Sequence, residues 1–177
     1  MSNIVYIWTS LDWYIADKNW KLDWLNSVPN PDKSDFGFND FQDKIDAIVM
    51  WRKTFDIVCS FDWDWPYKKP VFVLSNSLKE IPEKYSNEAV LIKWEPFEIV
   101  RTLKKHWFNN LYIDWWSTIQ SFLKEDLIDE LIITTLPILL WGWTSLFWDL
   151  EKPLNFKLKS SEVLVGEMVK SSYIRKK

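Results

Sequence analysis

Two short segments place small polar or basic residues where a predicted strand gives way to a helix. Residues 113–118 (IDWWST) are expected to end a strand, turn at Asp114 and begin a helix. The first turn of a helix has unpaired N–H groups and the positive end of the helix dipole, so it attracts anions. Arg52, Lys53 and Thr54 open a second predicted helix and add positive charge. Both segments predict contacts to phosphate groups, although a merely solvated helix start is the simpler alternative for the second.

Strands and helices are predicted to alternate along most of the chain. Apolar runs rich in β-branched and aromatic residues predict strands at residues 4–9, 47–50, 70–74, 90–92, 111–113 and 128–140. Helical spacing predicts helices over residues 34–45, with Ser34 as N-cap, from residue 54, and over 95–105 and 117–124. Residues 156–164 and 167–174 are expected to pair as antiparallel strands around Gly166.

This order of elements predicts a single α/β domain over residues 1–177. Its central sheet is expected to be mostly parallel, with antiparallel C-terminal strands and helices on both faces. Residues 131–148 carry no charge, and their length is at the lower limit for a helix that spans a membrane. Pro137 near their middle favours a buried strand that enters a loop instead.

The composition excludes several classes of protein. With 27% charged residues and a formal net charge of −3, the chain lacks both the composition of a disordered protein and the basic surface of a nucleic-acid binder. Cys59 is the only cysteine, so no internal disulfide can form, and no Cys/His cluster predicts a metal site. These features are typical of a cytoplasmic protein in a reducing compartment.

The glycine and tryptophan contents are inverted, because the 177 residues include 3 Gly and 14 Trp. An average protein of this length has about 12 Gly and few Trp. Tight turns need residues that adopt positive φ, chiefly Gly, Asn or Asp. The tryptophans at positions 13, 20, 63 and 115 directly follow Asp or Asn, where Asp-Gly or Asn-Gly turns would be expected. The pattern indicates that tryptophan stands where the fold favours glycine.

Five segments together resemble the successive motifs of the dihydrofolate reductase-like family. In order along the chain they are YIWTSLDWYIAD, IDAIVMWRKTF, VFVLSNS, NNLYIDWWSTIQSFL and ELIITTLPILLWGWTSLF. The chain is most similar to the branch with the riboflavin-biosynthesis reductase, the C-terminal domain of the bacterial bifunctional deaminase-reductase. The family pattern has glycine at positions 13, 20, 51, 115, 116, 141, 143 and 148, with further candidates at 8, 63, 94 and 107. Trp24 and Trp65 match true tryptophans of the family.

Exchanging those twelve tryptophans for glycine would leave 15 Gly and 2 Trp, an ordinary composition. The simplest explanation lies in translation: a source organism that reads the codon UGA as Gly would yield this sequence under a table that reads UGA as Trp. The alternative is a genuine tryptophan-rich surface that stacks on carbohydrate. Such a surface does not require tryptophan to follow Asp or Asn at turns.

The resemblance implies an NADPH-dependent reductase that transfers a hydride to a pyrimidine- or pteridine-type small molecule, as a 5-amino-6-(5-phosphoribosylamino)uracil reductase does. A true dihydrofolate reductase is the alternative enzyme, and a non-enzymatic, aromatic-rich ligand-binding module is the alternative of another class. No nucleic-acid or membrane partner is expected, and a homodimer is compatible with the family. The implied cofactor-binding residues are Trp51, Arg52, Lys53, Thr54, Ser75, Asn76, Asp114, Trp115, Trp116, Ser117 and Thr118. The implied substrate-binding residues are Ile7, Asp12 and Trp24.

Asp35 is the catalytic residue that the resemblance implies, because dihydrofolate reductases use one carboxylate on their first helix to orient the pteridine and assist protonation. A partly apolar wall of Phe36, Phe38 and Trp24 is expected to raise its pKa toward the range useful for proton transfer. The alternative is a first-turn residue that the helix dipole favours. Asp12 is expected to order the loop that covers the cofactor.

Overall fold

The computed structural model describes residues 2–19, 21–60, 64–93, 95–142, 144–147 and 150–177. The tryptophans at positions 20, 63, 94, 143 and 148, which are predicted to replace glycine, lie outside these ranges. The strands in the described residues are β1 (Ser2–Thr9), β2 (Tyr14–Ala16), β3 (Ala47–Trp51), β4 (Val71–Leu74), β5 (Ala89–Ile92), β6 (Asn110–Asp114), β7 (Glu130–Thr135), β8 (Thr144–Ser145), β9 (Phe156–Leu164) and β10 (Met168–Arg175). The α-helices there are α1 (Phe38–Lys44), α2 (Arg52–Ser60), α3 (Pro96–Lys105) and α4 (Trp116–Lys124).

Eight of these described strands form one sheet in the order β5-β4-β3-β6-β1-β7-β10-β9. The first six in this order are parallel, β10 runs antiparallel to β7, and β9 runs antiparallel to β10. The carboxyl ends of β1, β3 and β6 therefore meet at one edge of the sheet, which is where parallel sheets bind ligands. The predicted fold class, a mostly parallel sheet with antiparallel C-terminal strands, is confirmed.

The structure confirms one predicted turn and adds one short sheet. Val165 and Gly166 both have positive φ, 43° and 77°, and the Glu167 N–H donates to the Leu164 carbonyl oxygen at 3.1 Å, which closes the turn between β9 and β10. Strands β2 and β8 pair with each other away from the main sheet. These strands have three and two residues, which is too short for an alternating pattern to predict them.

Alternation along the central strands sorts their side chains onto two faces that helices cover. In β1, Val5 and Ile7 pack in one buried cluster with Phe122 of α4. Tyr6, between them, belongs to the cluster on the opposite face, together with Phe55 of α2. Both phenylalanines are at most 1% exposed. Burying a side chain of this size contributes about 1.5–3 kcal/mol, so both faces stabilise the sheet.

The strand predicted at residues 128–140 is shorter in the structure, where β7 spans Glu130–Thr135. Pro137 has no N–H for a sheet ladder, and the chain turns there, with the Ile138 N–H donating to the Leu136 carbonyl oxygen at 2.8 Å. The prediction failed because apolar residues continue past the strand into this turn, where Leu136 is buried but Leu139 is 57% exposed. None of the described helices is long and apolar enough to cross a membrane.

The first helix starts later than the predicted N-cap Ser34. Helix α1 spans Phe38–Lys44, and Gly37, with a φ of 85°, is its N-cap. The Ser34 hydroxyl oxygen accepts only a local N–H two residues on. The carboxylate of Asp35 accepts the N–H groups of Gly37 and Asn39 at 3.0 and 2.9 Å. Asp35 thus supplies the capping that the prediction gave to Ser34, because its side chain reaches the first turn.

Candidate active site

A pocket of about 640 Å³ opens at the carboxyl ends of β1 and β6. The two strands are adjacent and parallel, so the side chains at their ends converge. The loop between β2 and α1 closes the pocket from the other side. Most of its walls are aromatic or apolar, the lining typical of small-molecule sites. The lining includes Tyr6, Ile7, Trp8, Trp24, Phe36, Tyr112, Asp114 and Trp115.

The loop that closes the pocket is held against the sheet at two points, Trp24 and Phe36. Trp24 is 7% exposed and packs in a buried cluster with Met168 of β10. At the other end, the Phe36 carbonyl oxygen accepts hydrogen bonds from the Tyr6 hydroxyl at 3.1 Å and from Lys170 Nζ at 3.0 Å. The aromatic side chains of the loop are therefore held against the sheet, where they form part of the pocket wall.

Asp114 is the buried carboxyl group of the pocket. It ends β6 and is 9% exposed. The Tyr112 hydroxyl donates to its Oδ1 at 2.8 Å, and the Trp115 N–H donates to the same oxygen at 2.9 Å. Burial raises the pKa of Asp114 to about 6, although both hydrogen bonds lower it. The group changes its protonation close to neutral pH, as a general acid or base must.

Two tyrosines that line the pocket, Tyr6 and Tyr112, keep protonated hydroxyl groups at neutral pH. Burial raises the pKa of Tyr6 to about 12. Burial and the charge of Asp114 raise the pKa of Tyr112 well above its usual value. The Tyr112 hydroxyl also lies 3.0 Å from the Tyr6 carbonyl oxygen. Both tyrosines therefore act as fixed donors, and Asp114 is the group that titrates in this cluster.

A second cavity, of about 290 Å³, lies at the same edge of the sheet. Its lining brings together four residues that were predicted to bind the cofactor, namely Trp51, Ser75, Asn76 and Ser117. Ser75 follows β4 directly, is 3% exposed, and accepts the N–H groups of residues 77 and 78 with its hydroxyl oxygen. Ser117 lies in the first turn of α4. Their contact with a cofactor stays a prediction.

The ends of β3 and β6 separate the two cavities. In the sheet register Met50 pairs with Asp114, so Trp51 and Trp115 follow at the same level. Trp51 lines the second cavity, and Trp115 lines the first. Helices α2 and α4 begin directly after these two tryptophans. Two helix N-termini, each able to attract an anion, thus lie at the boundary between the cavities.

The other predicted cofactor residues lie in the first turns of these helices. Arg52 pairs with Asp56 of the same helix at 3.2 Å, and Lys53 is exposed. Thr54 and Thr118 are 4% and 1% exposed, and among the described residues their hydroxyl oxygens have no hydrogen-bond partner. Neither threonine lines either of the two cavities, so their contact with a cofactor stays a prediction.

Asp35 lies at the surface and does not line the pocket in the described structure. The predicted rise of its pKa is wrong: hydrogen bonds from the N–H groups of Asn39 and Gly37 lower the pKa of Asp35. The side chain accepts hydrogen bonds at the start of α1 and is exposed to solvent, so no apolar wall surrounds it. The pKa rise occurs at Asp114 instead. A catalytic role for Asp35 stays a prediction, while its helix-capping contacts are those of the alternative.

Asp12 holds the loop that follows β7. Its carboxylate accepts the N–H groups of Leu140 at 3.1 Å and Trp141 at 2.9 Å. Burial alone would raise the pKa of Asp12, but these hydrogen bonds and one from the Ser10 hydroxyl outweigh burial and lower the pKa. Asp12 is not among the described residues that line the pocket. Its contact with a substrate stays a prediction.

The sequence predicted that Asp114 belongs to a cofactor loop, and it did not predict that Tyr6 and Tyr112 line the pocket. One signal was available, since residues two apart in a strand share a face, so Tyr112 and Asp114 in NLYID must point the same way. Tyr6 could not be found, because its position depends on the pairing of β1 with β6, in which Ile4 lies opposite Tyr112.

The fold and the pocket together define a dihydrofolate reductase-like α/β protein. Dihydrofolate reductase from Enterococcus faecalis, solved with NADP(H), superposes with a TM-score of 0.68 at 13% identity, covering 99% of this chain and 97% of that one. Residues 3–170 match the family model of the RibD C-terminal domain. The chain therefore belongs to the RibD C-terminal domain family.

Two further relatives cover essentially the whole chain. The crystal structure of a "Putative riboflavin biosynthesis protein" from Shewanella sp. PV-4 has a TM-score of 0.97 and 52% identity over 100% of both chains. The uncharacterised protein YwjB of Bacillus subtilis (strain 168) is 30% identical over 175 residues, 97% of each chain. The resemblance inferred from the sequence motifs is confirmed.

Proposed function

We propose that the protein is an NADPH-dependent reductase that acts on a pyrimidine- or pteridine-type small molecule, with 5-amino-6-(5-phosphoribosylamino)uracil as the model substrate. The observation that carries the proposal is the aromatic pocket lined by Asp114, a carboxyl group whose pKa burial raises to about 6. The Shewanella relative, which is described as a riboflavin biosynthesis protein, supports this choice of substrate.

The aromatic wall suits a planar heterocycle. Trp8 and Phe36 meet edge to face, with ring centroids 5.2 Å apart, and both line the pocket. Trp24 and Tyr6 line it as well. Stacking on such rings contributes about 0.5–1.5 kcal/mol beyond the burial of area. The wall therefore selects a flat ligand and orients its plane.

Asp114 is the proposed source of the proton that a reduction needs. Reduction of a C=N bond places a hydride on carbon and a proton on nitrogen, and NADPH, when bound, supplies the hydride. Both hydrogen bonds that the described residues make to Asp114 end on Oδ1, which leaves Oδ2 for a substrate nitrogen. Because the pKa of Asp114 is about 6, the carboxyl group can carry this proton in mildly acidic to neutral solution.

The residues at the sheet edge fit a nicotinamide dinucleotide. The starts of α2 and α4 offer N–H groups for phosphates, and Arg52 adds positive charge. The second cavity, with Ser75 and Asn76, would hold the far end of the cofactor. NADP(H) in the Enterococcus reductase, which shares the fold, supports this assignment.

The proposal is tested by titrating NADPH and then measuring its oxidation in the presence of the ribosylaminopyrimidine or of dihydrofolate. The chain and its W115G/W116G variant are both assayed. We expect oxidation with the pyrimidine, and a kcat about 10²-fold lower in Asp114→Asn, the usual effect of removing a general acid. Asp40→Asn, which alters an exposed carboxyl group on α1, is the matched control.

The outcomes separate the three candidate functions. Turnover of dihydrofolate alone would identify a true dihydrofolate reductase. Absence of NADPH binding in both chains would contradict the reductase proposal and favour an aromatic-rich binding module.

A further inference from the structure

Tryptophan is concentrated at the backbone positions that favour glycine. Eight non-glycine residues of the described chain have positive φ, and four of these are tryptophans. They are Trp13 (63°), Trp107 (68°), Trp115 (72°) and Trp141 (47°). A bulky side chain in this region is a genuine outlier, because its Cβ crowds the backbone. The two tryptophans that match the family, at positions 24 and 65, are not among the eight.

The end of α3 shows what position 107 requires. The Phe108 N–H donates to the Leu103 carbonyl oxygen and the Trp107 N–H donates to the Lys104 carbonyl oxygen, both at 3.1 Å. This pair of hydrogen bonds is the Schellman motif, in which the residue at position 107 is the left-handed one and is usually glycine. The indole of Trp107 is 85% exposed, so its packing does not compensate for the strain.

The end of α4 repeats the motif and serves as an internal comparison. The N–H groups of Asp126 and Leu127 donate to the carbonyl oxygens of Leu123 and Phe122 at 3.0 and 2.9 Å. The left-handed residue there is Asp126, with a φ of 53°. Aspartate tolerates this conformation because its short side chain bonds locally. The fold therefore needs a left-handed residue at the ends of both α3 and α4. Only the end of α4, with Asp126, has a residue that suits this conformation.

Position 115 is more restrictive still. Trp115 has φ 72° and ψ 149°, at the border of a region that is essentially restricted to glycine. Its indole lines the first cavity, and its buried Nε1 has no hydrogen-bond partner among the described residues. The side chain thus adds both backbone strain and an unsatisfied donor.

Positions 13 and 141 lie in two turns that are held together by the Asp12 carboxylate. The Trp13 N–H closes a turn by donating to the Ser10 carbonyl oxygen at 3.1 Å, and the Trp141 N–H donates to Asp12. Trp141 is 80% exposed, so it too lacks packing that would favour tryptophan. The turns depend on the backbone at both positions, and of the two indoles only that of Trp13 makes a ring contact, with Phe147 at 5.7 Å between centroids.

We infer that the gene encodes glycine at positions 13, 107, 115 and 141, and that the functional protein carries glycine there. A UGA codon that the source organism reads as glycine would account for all four positions through one mechanism. Glycine at 115 would also remove an indole from the boundary between the two cavities. The inference concerns the identity of the chain and holds whatever the substrate.

Mass spectrometry of the protein from its source organism tests the inference directly. Trypsin cleaves after Lys105 and Lys124, so one peptide, residues 106–124, contains both position 107 and position 115. We expect glycine at both positions in its fragment spectrum, and UGA at the corresponding codons. The peptide of residues 22–33 contains only Trp24 and is the control, in which tryptophan should remain. Tryptophan at 107 and 115, or UGG at these codons, would overturn the inference.

The recombinant tryptophan chain gives a second test that needs no source organism. Trp107→Gly and Trp141→Gly should each raise the Tm by about 2–4 °C, because strain is relieved where little packing is lost. Alanine at the same positions keeps the strained φ and should give no such gain. Trp24→Gly should lower the Tm, since Trp24 is buried. Equal Tm values for the glycine and alanine variants at 107 and 141 would contradict the structural basis of the inference.

Discussion

The hydroxyl group of Tyr112 lies 2.8 Å from Oδ1 of Asp114, two residues further along β6 on the same face of the sheet. This contact holds one oxygen of a buried carboxyl group while the pocket surrounds the residue with aromatic side chains. Because burial outweighs the hydrogen bond, the pKa of Asp114 is raised to about 6. A carboxyl group that changes its protonation near neutral pH thus arises at the end of a single strand.

Asp114→Asn should stabilise the protein at neutral pH. The carboxyl pKa of about 6 in the folded protein exceeds the value of about 3.9 in an unfolded chain, so the folded state binds the proton more tightly. Ionisation of Asp114 therefore costs stability as the pH rises from about 4 to 7. We expect the variant to gain about 2–3 kcal/mol in free energy of unfolding at pH 7 and nothing near pH 4. Urea denaturation at both pH values measures this difference.

Asp126→Asn is the control of opposite sign. Hydrogen bonds from Arg175 lower the pKa of Asp126, so its contribution to stability is present at neutral pH and is lost on acidification. This variant should be less stable than the parent at pH 7. A gain in stability for Asp126→Asn, or a pH-independent effect of Asp114→Asn, would contradict the assigned pKa directions.

Tyr112→Phe should raise the pKa of Asp114 above about 6. The hydroxyl hydrogen bond favours the ionised carboxylate, and its loss leaves burial unopposed except by the Trp115 N–H. Carboxyl carbon NMR during a pH titration reports the pKa directly. Tyr6→Phe is the control, since the Tyr6 hydroxyl donates to Phe36 and not to Asp114. An unchanged pKa in Tyr112→Phe would show that this hydrogen bond has no influence.

The W115G/W116G double variant should bind NADPH at least about tenfold more tightly than the tryptophan chain. An indole covers roughly 150–250 Å², and glycine lets the backbone at the start of α4 approach a phosphate group. Isothermal titration with NADPH gives both affinities. Trp107→Gly is the matched control, because it removes an indole at the opposite edge of the sheet. Equal affinity of the double variant and the parent would refute the predicted phosphate contact.

Arg175→Lys should lower the Tm, because it weakens hydrogen bonds between charged groups, which are stronger than neutral ones. The Arg175 guanidinium makes a two-point contact with Asp126, at 2.7 and 2.9 Å, and its side chain is only 9% exposed. Lysine cannot form both hydrogen bonds with this geometry. The pair joins the C-terminal strand to the end of α4. Thermal unfolding should show the loss, and an unchanged Tm would mean that the pair contributes nothing.

The sequence predicted the sheet because its central strands are continuous apolar runs, which only a fully covered parallel sheet explains well. The apolar run at residues 128–140 misled the prediction, since its last part lies in a partly exposed turn and not in the sheet. The short pair β2 and β8 carries no periodic pattern at all. The local pattern was therefore enough to predict that a strand exists. The residues at which each strand begins and ends depend on tertiary contacts.

The sequence predicted only the part of the site that is formed by a single continuous segment. The strand, turn and helix start at residues 113–118 lie where the pattern placed them. Asp35 was expected to occupy an apolar wall because aromatic residues flank it in the sequence, yet its side chain caps α1. The wall instead surrounds Asp114, through residues that lie more than a hundred positions apart in the chain. Electrostatic environments of this kind follow from packing and cannot be inferred from neighbours in sequence.

The pH dependence of NADPH oxidation by the W115G/W116G chain, with the ribosylaminopyrimidine as substrate, tests the account most directly. A reductase in which Asp114 delivers the proton should show a kcat/KM that falls as the pH rises through about 6, because the carboxyl group then loses its proton. This dependence should disappear in the same chain with Asp114→Asn, together with about 10²-fold of the activity. An identical pH profile and undiminished activity after that substitution would contradict the account.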